Sequence, residues 1–295
     1  MTMVQNLSPD SRLVALVIFW VLSAFPQLSA QNPKELMTAA CDNEIRQRKQ
    51  NALWASQVER RIAGHVYRER EIDTVDGPVH RLLSVDGHDP SPSELKQDND
   101  RLRDLRENPK ARLTLKKNRE AEEKKVDDLL HVIPDIFLFE DHGPQGGLER
   151  LTFVPNPAYR PETYEETALH AMSGLVLIDL REKRLARFSG TLTQQVNFGH
   201  GLLGHLNKGG TIEVNRIRLS PGLWGTSLFR TDFDGRFAIF KNISKHLDET
   251  RNDFEPVPPD TDIQRALEQI AHKSAIFSQK TQGDIEQSHA SKKAF

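Results

Sequence analysis

The sequence predicts an α+β protein built on a strongly curled antiparallel sheet that bends toward a barrel, with N-terminal and C-terminal helices and a charged helical insert. Three observations predict this fold class. Apolar and polar residues alternate over 13 positions, 186–198, which is typical of a half-buried strand. Between Glu94 and Asp128, 21 of 35 residues are charged, which indicates solvated helices. Several further strand-like runs follow one another after residue 133.

The first 30 residues predict a secretory signal peptide. Arg12 precedes the apolar run LVALVIFWVL, and Ser29 and Ala30 follow as small residues, so we expect cleavage after Ala30. The run is shorter than the roughly 20 residues that a membrane-spanning helix needs. An uncleaved anchor and a lipoprotein acylated at Cys41 stay open as alternatives. We therefore expect a periplasmic or secreted protein that is peripheral to the membrane at most.

The segment after the signal predicts a helix and then two strands. Residues 34–61 contain neither proline nor glycine, and their apolar positions follow part of a helical stripe, so we expect an N-terminal helix, most clearly from 42 to 61. From Gly64 onward, β-branched and aromatic residues alternate with charges on both sides of Asp76-Gly77-Pro78. This pattern predicts two strands joined by a turn.

The charged insert spans residues 89–133. Ser91-Pro92-Ser93-Glu94 is a capping box with proline at the first helical position, and Asn108-Pro109 repeats that start signal. We expect helices at about 92–107 and 109–131 that pack loosely on the main body, because their apolar seam is thin. The insert is interpreted as a solvated surface, and docking of an envelope protein partner is the alternative.

The remaining segments predict strands, then a helix and a tail. The alternating strand would be roughly 40 Å long at about 3.3 Å per residue, and Gly190 interrupts its apolar side where a bend is expected. Thr261 is a candidate cap for a terminal helix. The expected domain covers residues 31–277, followed by a disordered tail at 278–295. The expected strands are at 136–140, 146–156, 174–179, 186–198 and 211–219.

A glycine-rich stretch at 197–210 contains the pattern G-x-G-x-x-G at Gly199, Gly201 and Gly204. A dinucleotide site would need a buried parallel strand before it and a helix after it. Here the preceding strand is half polar, and Gly209-Gly210 turns the chain back within a few residues. We therefore expect a connection between two long strands and no nucleotide.

Three stretches, 173–192, 196–210 and 223–233, resemble the periplasmic lipoprotein-localisation carriers and the outer-membrane lipoprotein-sorting proteins. In that superfamily, a strand ending in Ile-Asp meets a strand of the type R-L-x-R after a short turn. Ile178-Asp179 and the run from Arg184 to Arg187 match this pattern, and Asp253 to Pro258 match a D-F-x-x-V-P after the closing strand. The resemblance covers roughly residues 42–270. It implies an open, incomplete β-barrel whose concave face holds lipoprotein acyl chains, and the charged insert departs from the compact carriers.

A set of six apolar side chains is the candidate ligand-binding concave face: Leu175, Leu177, Phe188, Leu192, Val196 and Phe198. Burial of acyl methylenes against such a face is worth about 0.8 kcal/mol each. The alternative is that these residues form the protein's own core beneath the N-terminal helix. Arg216, Arg218 and Arg230 are candidates for pairing with an anionic head group, with the wet face of a sheet as the alternative.

These observations favour a non-enzymatic binding protein, a carrier or sensor of lipid or lipidated protein, with no catalytic residues, metal or cofactor. A structural or regulatory cell-envelope interaction module with a self-filled barrel is one alternative, and a hydrolase is another. Cys41 is the only cysteine, and the net charge of −2 provides no field for nucleic acid. The pair His200 and His205 and the run Glu140-Asp141-His142 lack metal-ligand spacing.

Overall fold

The computed structural model describes residues 32–50, 52–199, 202–236 and 246–271. The predicted signal peptide, the predicted tail at 278–295, and residues 200, 201 and 237–245 lie outside these ranges. All structural statements below refer to the described residues.

Ten strands form one antiparallel sheet, which confirms the α+β class with a large antiparallel sheet. Across the sheet their order is β3-β2-β1-β13-β11-β10-β7-β6-β5-β4. The three remaining strands form a second sheet in the order β12-β9-β8. The bounds are β1 Leu53–Ile62, β2 His65–Ile72, β3 Val79–Val85, β4 Phe137–Gln145, β5 Leu148–Pro155, β6 Met172–Asp179, β7 Arg184–Leu192, β8 Val196–Phe198, β9 Gly204–Leu206, β10 Thr211–Ser220, β11 Leu223–Asp232, β12 Gly235–Arg236 and β13 His246–Val257.

Helices occupy five stretches of the described chain: α1 Pro33–Arg48, α2 Pro92–Glu107, α3 Pro109–Ile136, α4 Tyr164–His170 and α5 at 263–271. Within the described ranges, none of them combines the length and the apolar character needed to cross a membrane. The cap of α5 differs from the expectation. Asp262 accepts the backbone N–H of Arg265 at 2.9 Å, whereas the Thr261 hydroxyl donates to the Pro258 carbonyl at 2.7 Å.

The two helices of the charged insert are confirmed. Ser91 and Glu94 cap each other's backbone N–H groups at the start of α2, and the Asn108 side chain accepts the Lys110 N–H at the start of α3. α3 continues to Ile136, five residues past the expected end at residue 131, because its last turns are buried against the sheet. The apolar seam of α2 is also buried, so this helix contributes to a core rather than packing loosely.

The predicted helix through residue 61 is wrong in its second half. α1 ends at Arg48, and residues 53–62 form β1 between β2 and β13. Leu53 and Ala55 are buried on one face of β1, and Ser56 and Val58 are buried on the other. Burial on both faces removes the period-two alternation that identifies a strand in a sequence.

The predicted 13-residue strand is also wrong, because the chain leaves the large sheet after Leu192. The backbone N–H and the hydroxyl of Thr193 both donate to the Ala171 carbonyl, each at 2.9 Å, which turns the chain away. Residues 196–198 then form β8 in the small sheet. The alternation persists across this break because Val196 and Phe198 enter the same core as Leu192.

The sheet has two apolar cores on opposite faces. The first core lies between β4–β7, α1 and the end of α3. The second core lies between β1–β3, α2 and α5. Phe188 packs on the first core, and the row of cross-strand partners that starts at Phe188 crosses the sheet on the same face and ends at Arg60. Ala55 of the second core is five positions from Arg60 along β1, which is an odd number, so its side chain points to the opposite face. That row is Phe188, Val214, Phe229, Glu249 and Arg60.

Candidate functional site

The six predicted ligand-face residues do not share one face. Four of them belong to the first core or pack against it: Phe188, Leu192, Val196 and Phe198. Leu175 and Leu177 alternate with the fully buried Val176 and Ile178, so they point to the opposite face of β6. The prediction of a single six-residue face is wrong for this reason, and the ligand-binding role of these residues stays a prediction.

The apolar face of β4–β7 is covered by α1. Leu192 and Phe198 are each 1% exposed, and Met37 and Ala40 of α1 are fully buried in the same core. Phe153 stacks on Phe188 with ring centroids 5.0 Å apart. Close packing of this kind leaves an acyl chain no room beside these residues unless α1 moves.

A buried ion cluster fixes α1 to the sheet. Glu44 of α1 is 4% exposed and accepts hydrogen bonds from Nε and Nη2 of Arg184 at 2.8 and 2.7 Å. It also accepts the Leu185 N–H at 3.1 Å and pairs with Arg216. Burial lowers the pKa of Arg184 and of Arg216 to about 10, so both guanidinium groups stay charged at neutral pH. The cluster is a compensated set of buried charges that stabilises one position of α1.

A second group of polar contacts extends this anchor. Gln47 of α1 accepts the Trp224 backbone N–H at 2.9 Å and donates to the Trp224 carbonyl at 2.8 Å. The indole N–H of Trp224 donates to Glu182 at 2.7 Å, and Asn43 donates to the Lys183 carbonyl at 2.9 Å. The last two turns of α1 are therefore held by the β6–β7 turn and by β11.

Arg184 and Leu185 of the run that matches the R-L-x-R pattern take part in this anchor. Asp179 accepts the backbone N–H groups of Arg181 and Glu182 at 3.1 and 2.8 Å, which closes the β6–β7 turn. Arg184 then binds Glu44. In this structure the matched residues thus have a structural task that does not depend on any ligand.

The candidate head-group arginines are engaged by the protein's own carboxylates. Arg216 pairs with Glu44, and Arg218 pairs with Glu182 at 2.7 Å. Arg230 pairs with Asp248 at 2.9 Å. An anionic head group would therefore have to displace an existing partner.

A second ion network lies on the sheet at β1, β2 and β13, where sequence reasoning found no site. Arg60 pairs with Glu69, Glu71 and Glu249, and Arg251 pairs with Glu71 at 2.6 Å. Burial raises the pKa of Glu71, but the hydrogen bond from His80 and the charges around it outweigh burial and hold that pKa at about 2. These ion pairs link the three neighbouring strands β1, β2 and β13.

An open pocket with a volume of about 620 Å³ lies where β1 and β11 end and β13 begins. Ile62 and Leu247 contribute apolar surface, and Arg61 and Arg230 contribute positive charge. Arg61 lies opposite Asp248, but the Asp248 carboxylate is bound by Arg230. The remaining lining residues are Ala63, Gly64, Thr231, Asp232, His246 and Asp248.

The chemistry for catalysis or metal binding is sparse in the described part of the chain. No group of three or more His, Cys, Asp or Glu side chains there is arranged to hold a metal ion. Cys41 is 1% exposed, and burial, with the nearby Asp42 charge, raises the pKa of its thiol to about 12. Such a thiol is a poor nucleophile at neutral pH.

The chain matches no protein-family model, no curated protein and no solved structure. The resemblance to lipoprotein carriers and sorting proteins therefore stays a prediction.

Proposed function

We propose that the protein is a non-enzymatic interaction module of the cell envelope whose apolar face is filled by its own helix α1. The observation that supports this most directly is the burial of Leu192 and Phe198 in the same core as Met37 and Ala40 of α1. The buried anchor at Glu44 also favours a permanently closed face, because lifting α1 would expose Arg184 and Arg216 without their shared partner.

Placement in the envelope is part of this proposal. Cleavage of the predicted signal after Ala30 would leave α1 whole, since that helix begins at Pro33. N-terminal sequencing of the mature protein tests this directly. A first residue of Gln31 is expected, and an intact Met1 in the cell extract would contradict it.

A carrier or sensor of lipid or lipidated protein is the second candidate, and the open pocket favours it. Its volume of about 620 Å³ lies within the roughly 300–1,000 Å³ typical of ligand pockets, and it combines the apolar side chains of Ile62 and Leu247 with charged side chains of both signs. This candidate includes the strongly curled, incomplete barrel as its proposed shape, with the sheet wrapped around an acyl chain.

Native mass spectrometry of the protein extracted from its own host separates the two candidates. The interaction module is expected to carry a protein partner and no lipid. Co-purifying lipid in stoichiometric amount would favour the carrier instead. In that case Ile62→Glu should abolish lipid retention if the open pocket holds it, and Leu83→Glu, an equally exposed apolar site on β3, is the matched control.

A further inference from the structure

The two edge strands of the large sheet, β3 and β4, differ in whether other side chains bind their outer backbone groups. At the β3 edge, Asp98 of α2 accepts the Leu82 backbone N–H at 3.3 Å, and Arg101 of α2 donates to the His80 carbonyl. These side chains occupy backbone groups that a further strand would need. Edge protection of this kind prevents unwanted strand pairing.

The β4 edge has no comparable cover among the described residues. The backbone N–H of Asn156 donates to the Ile136 carbonyl at 2.8 Å, so Ile136 and Asn156 are a hydrogen-bonded pair. The next pair along the strands, Phe137 opposite Pro155, is therefore a non-bonded pair. Antiparallel strands alternate between bonded and non-bonded pairs, so the backbone groups of Phe139 and Asp141 face away from β5. They offer a new strand two N–H donors and two carbonyl acceptors.

The edge is acidic. β4 contains no lysine or arginine, while Glu140 and Asp141 are exposed, and neither carboxylate is paired with a basic side chain in the described structure. Burial raises the pKa of the adjacent Glu149 to about 7, helped by its hydrogen bond with Asp141, which reflects crowding of negative charge. A second copy of this edge would oppose like charges, so a basic partner is favoured over self-association.

Apolar surface lies beside the same edge. Leu138 is directly opposite Val154 on β5, and the two side chains are 51% and 50% exposed. They form an exposed apolar pair on the face of the sheet that also carries Glu140, whereas Asp141 points to the other face. A strand added at this edge would cover them.

We propose that the free edge of β4 binds an extended, basic segment of a partner protein, which adds as an eleventh strand. Its backbone pairs with Phe139 and Asp141, its apolar side chains cover Leu138 and Val154 on one face, and a lysine or arginine on the other face lies against Asp141. This rests on the proposed function only in taking the partner to be a protein.

A fluorescein-labelled eight-residue peptide of alternating lysine and valine tests the proposal with the full mature chain, and a glutamate–valine peptide is its control. Saturable binding of the basic peptide alone is expected. Hydrogen exchange should slow at the amides of Phe139 and Asp141 and stay unchanged along β3. Binding that protects other amides, or no saturable binding, overturns the proposal.

Two variants at one position separate backbone pairing from charge. Asp141→Pro removes an outward-facing N–H, which an edge strand tolerates, and should weaken binding at least tenfold. Asp141→Lys keeps the N–H and should shift preference toward the glutamate–valine peptide, so it provides a readout if the proline variant does not fold. Unchanged binding by Asp141→Lys would contradict the charge argument.

The peptide assay tests the edge proposal and the mass spectrometry tests the proposed function, so either proposal can be contradicted without the other. A protein partner found in the native complex without peptide binding at β4 would contradict the edge proposal and would still support the interaction module. Sedimentation of the purified chain as a dimer that Asp141→Pro dissociates would replace the basic partner with a second copy.

Discussion

Glu44→Gln is the perturbation that most directly tests how α1 is held. The substitution keeps the size of the side chain and removes its charge. It leaves Arg184, which is 3% exposed, and Arg216 without the carboxylate that both of them bind. Water cannot reach Arg184 in the folded protein, so the lost interaction is not replaced by hydration.

The expected loss in the free energy of unfolding follows from the burial of the Glu44 cluster. Removal of one partner from a buried ion pair typically destabilises a protein by about 3–5 kcal/mol, because the remaining charge is left uncompensated. The glutamine oxygen still accepts one or two of the original hydrogen bonds, so we expect a loss of about 3 kcal/mol. This loss is large relative to the roughly 5–15 kcal/mol that stabilises a typical domain.

Urea unfolding, followed by tryptophan fluorescence and far-UV circular dichroism, measures this free energy. Asp42→Asn is the matched control, since it makes the same charge change at an exposed position of α1 and should cost less than about 0.5 kcal/mol. A loss below about 1 kcal/mol for Glu44→Gln would refute the reasoning, because that is the range of a surface ion pair.

Two further predictions concern the sheet. The pKa of Glu71 is lowered from 4.5 to about 2 in the folded protein, so its contribution to stability is complete above the unfolded value and is lost as the pH falls toward 2. Glu71→Gln should therefore show a smaller drop in melting temperature between about pH 5 and about pH 3 than the wild type, and parallel profiles would contradict this. A Cβ on Gly174 would lie 1.9 Å from the Ser189 carbonyl oxygen, whereas one on Gly190 meets side chains at 3.2 Å and beyond. Gly174→Ala should thus cost about 1–3 kcal/mol in chemical unfolding and clearly more than Gly190→Ala, and equal losses would argue against the tight β6–β7 approach.

Local signals account for what the sequence predicted well. The capping pairs at Ser91 and Asn108 depend on residues within three positions of each other, so both insert helices could be found. The hairpin at Asp76-Gly77-Pro78 is likewise local, and β2 and β3 lie where they were expected. The large antiparallel sheet was predicted from the length of the alternating run at 186–198, and it is confirmed although that run is divided between two sheets.

Pairing over long distances accounts for what was missed. β1 has buried residues on both faces, and no local alternation marks such a strand. The break after Leu192 depends on hydrogen bonds to Ala171 and Gly210. Nothing in the alternation itself indicates that break.

At the candidate site, too, local patterns were predicted correctly and contacts between distant segments were missed. Alternation correctly grouped Leu192, Val196 and Phe198 in one core, but it could not relate β6 to β7, so Leu175 and Leu177 were placed on the wrong face. The anchor joins Glu44 to Arg184 across 140 residues. A single sequence offers no signal for a pair at that separation.

Labelling of Cys41 tests the central claim that α1 permanently fills the apolar face. Cys41 is part of α1 and the only cysteine in the chain, and its side chain is 1% exposed in the core that α1 covers. Modification of its thiol by Ellman's reagent therefore reports directly on displacement of α1. The account predicts that Cys41 reacts only as fast as the whole protein unfolds, with or without lipid vesicles or free fatty acid. Rapid labelling under native conditions when lipid is added, with the sheet intact by circular dichroism, would contradict it.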